Sequence, residues 1–335
     1  RDRSVSRGLG DVYKRQHIQT VAVLTQYNAR SLNEHLSSSK WWNFGRKQGG
    51  LFLFTPTVTA DNSDWYRGTA DAMYQNIDFL KRRHEPYVII SSGDCVYKLD
   101  FNRVLDFHIE KKSDITVVCK DMMYNDDVSR FGVVRMDDES RITEFDEKPI
   151  EASSNTISTG IYVIRRRQLI ELLEAAAEEN RFDFVNDILV RYKNVKKIYG
   201  YKINSYWNNI ADIDAYFKTN MDFLRPDIRS YFFREEPTIC SKVDDLPPAK
   251  FNPGSDISNS LVSSGCIING SVEDSVLFKQ VFVGKNTTVK NCVLLNDVYI
   301  GDNVHLENCI VESRGTINPN TCCLLYTSPS PRDTE

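Results

Sequence analysis

Two periodicities divide the chain. From His17 to about Leu224, short apolar runs alternate with segments whose apolar residues return every three or four positions. Val21–Leu24 is one such run. Tyr87–Ile90 reads as a continuous apolar strand of the kind buried on both faces of a parallel sheet, and Ile115–Cys119 as another. Met73, Ile77 and Leu80 share one face of a helix predicted over Ala72–Lys81, and Leu169–Ala177 and Phe184–Tyr192 predict further helices. Such alternation implies an α/β layered domain with a mostly parallel sheet. After Leu246-Pro247-Pro248-Ala249-Lys250-Phe251 the pattern changes. Val276–Cys292 and Val293–Cys309 align as two copies of a seventeen-residue repeat, which continues imperfectly into Ile310–Thr321. The apolar positions Leu277, Val283 and Val289, then Leu294, Ile300 and Leu306, then Val311 and Ile317, advance in steps of six, six and five. That is one triangular coil with one inward side chain per side, a parallel β-helix of hexapeptide repeats. Gly284 and Gly301 are predicted at corners where backbone strain excludes a side chain. The Asn residues beside them tolerate similar dihedrals.

The two ends stand apart from both patterns. Residues 6–16 read SRGLGDVYKRQ and residues 323–333 read CLLYTSPSPRD. One coding of the second has a reverse complement that, shifted by one base, translates as the first. Both ends are therefore read as adaptor-derived DNA in translation, leaving His17 to Thr321 as the informative region. Length then suggests two domains at about 100–200 residues each. The boundaries read from the sequence are 1–16 adaptor-derived, 17–236 an α/β domain whose start is missing, 237–321 a β-helix with its linker, and 322–335 adaptor-derived.

Composition narrows the function classes. Apolar residues make up 41% and charged residues 26%, and the net charge is −4, so no basic patch points to nucleic acid. No stretch approaches the roughly 18 apolar residues of a membrane helix. Outside Cys322 and Cys323, the cysteines (Cys95, Cys119, Cys240, Cys266, Cys292, Cys309) are dispersed and contain no CxxC pair. Buried free thiols in a reducing cytoplasm account for them better than disulfides or a zinc site.

Five segments carry chemistry. Arg67-Gly68-Thr69-Ala70-Asp71 enters the first predicted helix, where small residues let a ligand approach backbone N–H groups. Ile89-Ile90-Ser91-Ser92-Gly93-Asp94 ends a buried strand in a carboxylate, at the sheet edge where open α/β sheets bind ligands. A carboxylate there can hold Mg²⁺ against phosphate oxygens. Phe131-Gly132-Val133-Val134 is followed by Glu144-Phe145-Asp146-Glu147-Lys148-Pro149. Glu147 can accept from sugar hydroxyls and Lys148 can neutralise a sugar phosphate. Ser158-Thr159-Gly160-Ile161-Tyr162 is a small polar turn opening a strand, and Tyr206-Trp207-Asn208-Asn209-Ile210-Ala211 is the fifth segment. Each alone has an ordinary structural explanation, as a cap, a turn or a surface ion pair.

In this order, with the LPPAKF link and the hexapeptide region, the segments resemble the nucleotidyltransferases that make sugar nucleotides. Among them the bacterial ADP-glucose pyrophosphorylases (glucose-1-phosphate adenylyltransferases) of glycogen biosynthesis match best, over nearly all of residues 17–321. The resemblance implies a Rossmann-like domain followed by a left-handed β-helix. It implies a cytoplasmic transferase that joins ATP and glucose 1-phosphate and releases pyrophosphate, with Mg²⁺ as cofactor. It implies that Gly68, Thr69 and Asp71 lie near nucleotide or sugar, that Asp94 is a catalytic metal ligand, and that Glu147, Lys148 and Ser158 face glucose 1-phosphate. The family's Gly-rich phosphate loop would precede residue 17.

One departure changes the expectation. The family's second metal-binding Asp follows Trp-Arg, and here Trp207-Asn208-Asn209 puts an amide in the carboxylate position. An amide oxygen can coordinate but removes a full negative charge, and losing one electrostatic stabiliser costs about 100-fold or more in rate. Asp212 lies three residues on but heads a helix that points it elsewhere. The chain then resembles a regulatory subunit, weakly catalytic or inactive, that joins a homologous catalytic subunit in a hetero- or homo-tetramer and binds ATP, glucose 1-phosphate or related effectors. A competent adenylyltransferase that tolerates Asn209, and a hexapeptide acyltransferase or scaffold, are the alternatives; only His305 lies in the repeats to serve an acyltransferase.

Overall fold

The computed structural model describes residues 18–26, 29–37, 49–56, 65–123, 127–237, 239, 242 and 244–323. Both ends read as adaptor-derived lie outside the described residues, except Cys322 and Cys323, and so does Cys240. The chain divides into two compact units. One runs to Trp207 and takes in 239–242; the other comprises 208–238 and the chain from Val243 onward.

In the first unit, β1 (Thr20–Leu24) pairs in parallel with β2 (Gly50–Phe54), with Thr20 opposite Gly50. The principal sheet takes β3 (Tyr87–Ser91), β5 (Ile115–Asp121), β6 (Gly132–Met136), β7 (Ile142–Glu147), β8 (Thr156–Arg165) and β9 (Ile198–Lys202), in the order β7-β6-β8-β5-β9 with β3 beside β8. The short strands β4 (Cys95–Tyr97) and β10 (Trp207–Asn209) are not part of this sheet. Strands β5 and β9 pair in parallel. Strand β8 is antiparallel to β3, β5 and β6, and β7 is antiparallel to β6. Strands β3, β5, β6 and β9 therefore share one direction, as a parallel sheet requires, but β8 is inserted among them against it. Most ladders are consequently antiparallel, which corrects the expectation of parallel pairing for Tyr87–Ile90.

Strands β5 and β8 are buried on both faces, and side-chain alternation sorts them into two cores. Ile115, Val117 and Cys119 pack with Tyr162, Ile164, Leu169, Leu173 and Phe184 on one face. Val118, Ile157, Ile161 and Val163 pack with Phe101, Val104 and Trp207 on the other. The helix predicted over 72–81 is two helices, α2 (Thr69–Gln75) and α3 (Ile77–Lys81), following α1 (Ala29–Leu36). The break is at Asn76, whose side chain donates to the Ala72 carbonyl and the Tyr66 hydroxyl. An amide that satisfies the backbone locally competes with helix continuation. Helices α4 (Phe101–Glu110) and α5 (Arg166–Glu178) cover the sheet, and Val185–Val190 is a π-helical segment.

In the second unit, α6 (Ile213–Asp222) is capped by Asp212, whose carboxylate accepts from Ala215 N–H at 2.7 Å, and α7 (Pro226–Phe233) follows. The β-helix has three parallel ladders. One stacks β11 (Lys250–Phe251), β14 (Ile267–Ile268), β17 (Phe282–Val283), β20 (Tyr299–Ile300) and β23 (Thr316–Ile317). The second stacks β12 (Asp256–Ser258), β15 (Ser271–Glu273), β18 (Thr288–Lys290), β21 (His305–Glu307) and β24 (Cys322–Cys323). The third stacks β13 (Leu261–Val262), β16 (Val276–Leu277), β19 (Val293–Leu294) and β22 (Ile310–Val311). The inward positions read from the repeat are the core: Leu277, Val283, Val289, Leu294, Ile300 and Leu306 have no exposed surface.

The corner glycines need correction. Neither Gly284 nor Gly301 has a left-handed backbone. They are small because the next coil is close: a Cβ on Gly284 would stand 2.4 Å from the Gly301 carbonyl oxygen, and one on Gly301 2.7 Å from Pro319 N. The left-handed corners belong instead to polar residues such as Asn286, Asn291, Asn303, Asn308 and Asn320. Several bond from coil to coil, as Asn286 to Asn303 at 3.3 Å and Asn303 to Asn320 at 3.2 Å.

Candidate functional site

The β3–β8 ladder brings the second and fourth sequence segments together. Ser91 pairs with Ile161, and Ser92 N–H donates to the Gly160 carbonyl at 3.0 Å. Gly160 has φ +74, and a Cβ there would come within 3.0 Å of Ser92 Cβ. Glycine at this turn thus lets Ser92 sit close, and the Ser92 hydroxyl in turn donates to the Asp94 carboxylate. Asp94 itself is exposed just beyond the end of β3.

The third segment packs on the next strands. Glu147 lies opposite Gly132 in the β6–β7 ladder, and a Cβ on Gly132 would stand 2.9 Å from Glu147 Oε2. The glycine of Phe131-Gly132-Val133 therefore makes room for this carboxyl. Burial raises the Glu147 pKa, the adjacent Lys148 ammonium lowers it, and Asp183 raises it further. Lys148 Nζ lies 4.0 Å from Glu147 Oε1 and is largely exposed. Lys148 also holds φ +50 while its N–H donates to the Phe131 carbonyl at 3.1 Å. A left-handed backbone costs an ordinary residue roughly 1–2 kcal/mol, so the bond to Phe131 holds this side chain in a position the chain does not adopt by preference. Ser158 is buried and donates to the Tyr162 hydroxyl at 3.3 Å. Burial pushes the Tyr162 pKa up, and Glu147 and Asp183 act in the same direction.

The first segment is tied to this group through residues 182–184. Ala70 N–H and Asp71 N–H both donate to the Phe182 carbonyl, at 2.8 and 3.3 Å. Thr69 Oγ1 accepts from Phe184 N–H at 2.9 Å. A Cβ on Gly68 would stand 2.3 Å from the Phe182 carbonyl oxygen. Asp71 is buried and accepts from Arg67 N–H and Gln75 Nε2. The helix-start N–H groups of Ala70 and Asp71, read from the sequence as open to a ligand, are thus bonded within the fold. Their effect is to fix the loop that carries Asp183, whose charge acts on Glu147.

Sequence reasoning therefore placed Ser92 and Tyr162 in its segments without giving them a role, and missed Asp183. An acid between two aromatics, Phe182-Asp183-Phe184, ahead of a helical run was the available signal for Asp183. The fifth segment, from Asn208 on, falls in the second unit. There Asn209 Oδ1 accepts from Ala211 N–H at 3.0 Å, and Asn208 Nδ2 donates to Asp222 at 3.2 Å.

Asp94 suits a hard divalent cation as a single exposed carboxylate. No group of three His, Cys, Asp or Glu side chains able to hold a metal ion occurs among the described residues. A cation at Asp94 would draw its remaining ligands from phosphate oxygens and water, the usual manner for Mg²⁺. No helix among the described residues is long and apolar enough to cross a membrane.

Comparison with known proteins identifies the family. Residues 9–225 match the family described as nucleotidyl transferase, and residues 247–323 the one described as GlmU-like, C-terminal hexapeptide. The glucose-1-phosphate adenylyltransferase of Clostridium novyi is 36% identical over 273 residues, covering 81% of this chain and 71% of that protein. Those of Clostridium acetobutylicum and Bacillus subtilis are 37% and 36% identical, each over 81% of this chain and 72% of the relative.

Proposed function

The chain belongs to the nucleotidyl transferase family, and from that premise we propose that it is a glucose-1-phosphate adenylyltransferase subunit with weak or no catalysis of its own. The names of its relatives support the reaction: glucose 1-phosphate attacks the α-phosphate of ATP, and pyrophosphate leaves. Catalysis of such a transfer is positioning and charge neutralisation. Lys148 neutralises the sugar phosphate, and Glu147 accepts from glucose hydroxyls. Ser158, bonded to the Tyr162 hydroxyl, faces the sugar phosphate in this reading, and Gly68, Thr69 and Asp71 act through the 182–184 loop they are bonded to. Asp94 holds the divalent cation, Mg²⁺ in this reading, which would screen charge on the phosphates.

The observation that carries the regulatory reading is Asn209. The amide replaces the second acidic ligand, its oxygen accepts from Ala211 N–H, and the nearby Asp212 carboxylate caps α6. One anionic ligand where two are wanted leaves the cation under-neutralised. The subunit then acts in glycogen biosynthesis by assembling with a homologous catalytic subunit.

The test measures Mn²⁺ affinity in the presence of ATP, and pyrophosphate release with and without a co-expressed catalytic homologue. Asn209→Asp should tighten Mn²⁺ binding by about tenfold or more, the worth of one added charged ligand. Turnover by the unpartnered chain at the rate of its active relatives would refute the regulatory role and leave the family assignment standing.

A further inference from the structure

The β-helix is regular at every corner between its first two ladders but one. Asn252–Ser255, Gly284–Thr287, Gly301–Val304 and Asn318–Thr321 each turn the chain in four residues, whereas only Asn269 and Gly270 join β14 to β15. The ladders stay in register across the short coil, with Ser271 facing both Asp256 and Thr288. The two missing residues are therefore subtracted from the corner alone. Gly270 sinks onto the coil below, so that a Cβ there would stand 2.3 Å from the Thr287 carbonyl oxygen.

The result is a notch of about 570 Å³. Asn252, Pro253 and Gly254 form one wall, Asn269 to Ser271 the floor, and Lys285 to Thr288 the other wall. Its amides are oriented in advance: Asn252 Nδ2 donates to Asn269 Oδ1 at 2.6 Å, and Asn269 Nδ2 to the Val283 carbonyl at 2.8 Å. Amides and hydroxyls line it, Lys285 is its one charged side chain, and no carboxylate contributes to it. No carboxylate pairs with the Lys285 ammonium among the described residues. Such a lining matches alternating hydroxyls and one negative charge better than it matches an apolar or cationic ligand.

We infer that this notch is a binding site for a small hydroxylated anion, a polyol carrying one phosphate or carboxylate group. The hydroxyls exchange bonds with the amides and with Ser271 and Thr288, and the anionic group meets Lys285. Its lining residues all belong to the β-helix, and the inference does not depend on the function proposed for Glu147 and its neighbours.

Calorimetric titration of the full chain with glucose 6-phosphate, gluconate, glucose and inorganic phosphate tests this. At least one of the two hydroxylated anions should bind severalfold tighter than glucose or phosphate, and the tighter of them names the anionic group. Lys285→Ala should weaken that binding about tenfold, the worth of one charge-assisted hydrogen bond. A two-residue insertion after Asn269, which restores the four-residue corner, should abolish it, and Asp94→Asn should leave it unchanged. Lys285 is exposed, so its variant folds even if the insertion does not. The inference is overturned if neither anion binds saturably, if binding survives Lys285→Ala, or if phosphate alone binds as tightly.

Discussion

Replacing Thr69 by valine tests whether the loop that carries Asp183 is held by one side chain. The change keeps the volume and removes the hydroxyl that accepts Phe184 N–H at 2.9 Å. Phe184 is 1% exposed, so water does not take over the bond. A buried amide left unpaired costs about 1–3 kcal/mol. Thr69→Ser retains the acceptor and should stay within about 0.5 kcal/mol of the wild type. Every tryptophan of the chain lies before residue 208, so urea unfolding followed by tryptophan fluorescence reports the first unit without the β-helix. With a slope of about 3 kcal/mol per molar, the midpoint for Thr69→Val should fall by roughly 0.3–1 M. Affinity for glucose 1-phosphate should weaken with it, because the loop whose Asp183 charge acts on the half-buried Glu147 loses its fixed place. An unchanged midpoint and affinity in Thr69→Val, or equal losses in the valine and serine variants, would refute the reasoning.

Two further outcomes concern stability. His108 is buried, with Nδ1 2.8 Å from Thr116 Oγ1, and burial followed by the Arg165 charge lowers its pKa to about 4. Unfolding restores an ordinary value near 6.5, so between about pH 6.5 and 4 the unfolded chain takes up a proton that the folded chain refuses. Stability should therefore fall through that window as pH drops, by on the order of 3 kcal/mol, and His108→Gln should flatten the profile of urea midpoints against pH. Asn303 holds φ +57 in the corner ladder, so Asn303→Ala should cost about 1–2 kcal/mol in thermal melts followed by circular dichroism. Asn303→Gly should recover the backbone part of that loss, and equal melting of the two variants would show that conformation at this corner is unimportant.

The β-helix was the most legible part of the sequence, because each inward position recurs at a fixed interval and solvent sorts the rest. Its corners were less so: a glycine there is compatible with both backbone strain and a close neighbour, and only the distance from Gly284 to the Gly301 carbonyl decides between them. In the α/β unit, the apolar run at Tyr87–Ile90 announced a strand but not its partner, since antiparallel and parallel neighbours bury the same side chains. The helix break at Asn76 turned on one side-chain bond to Ala72 that competes with helix propagation. Local motifs named Gly68, Glu147 and Ser158. What surrounds them depends on contacts between distant segments, such as the Tyr162 and Phe184 rings 5.3 Å apart, that no short spacing encodes.

The two-residue corner at Asn269-Gly270 shows how such a solenoid tolerates editing. Faces and corners are separable in heredity: strand pairing above and below Ser271 continues as though nothing were lost. An insertion or deletion confined to a corner reshapes the rim without disturbing the stacked interior, so lineages and protein engineers alike can carve or fill pockets there one coil at a time.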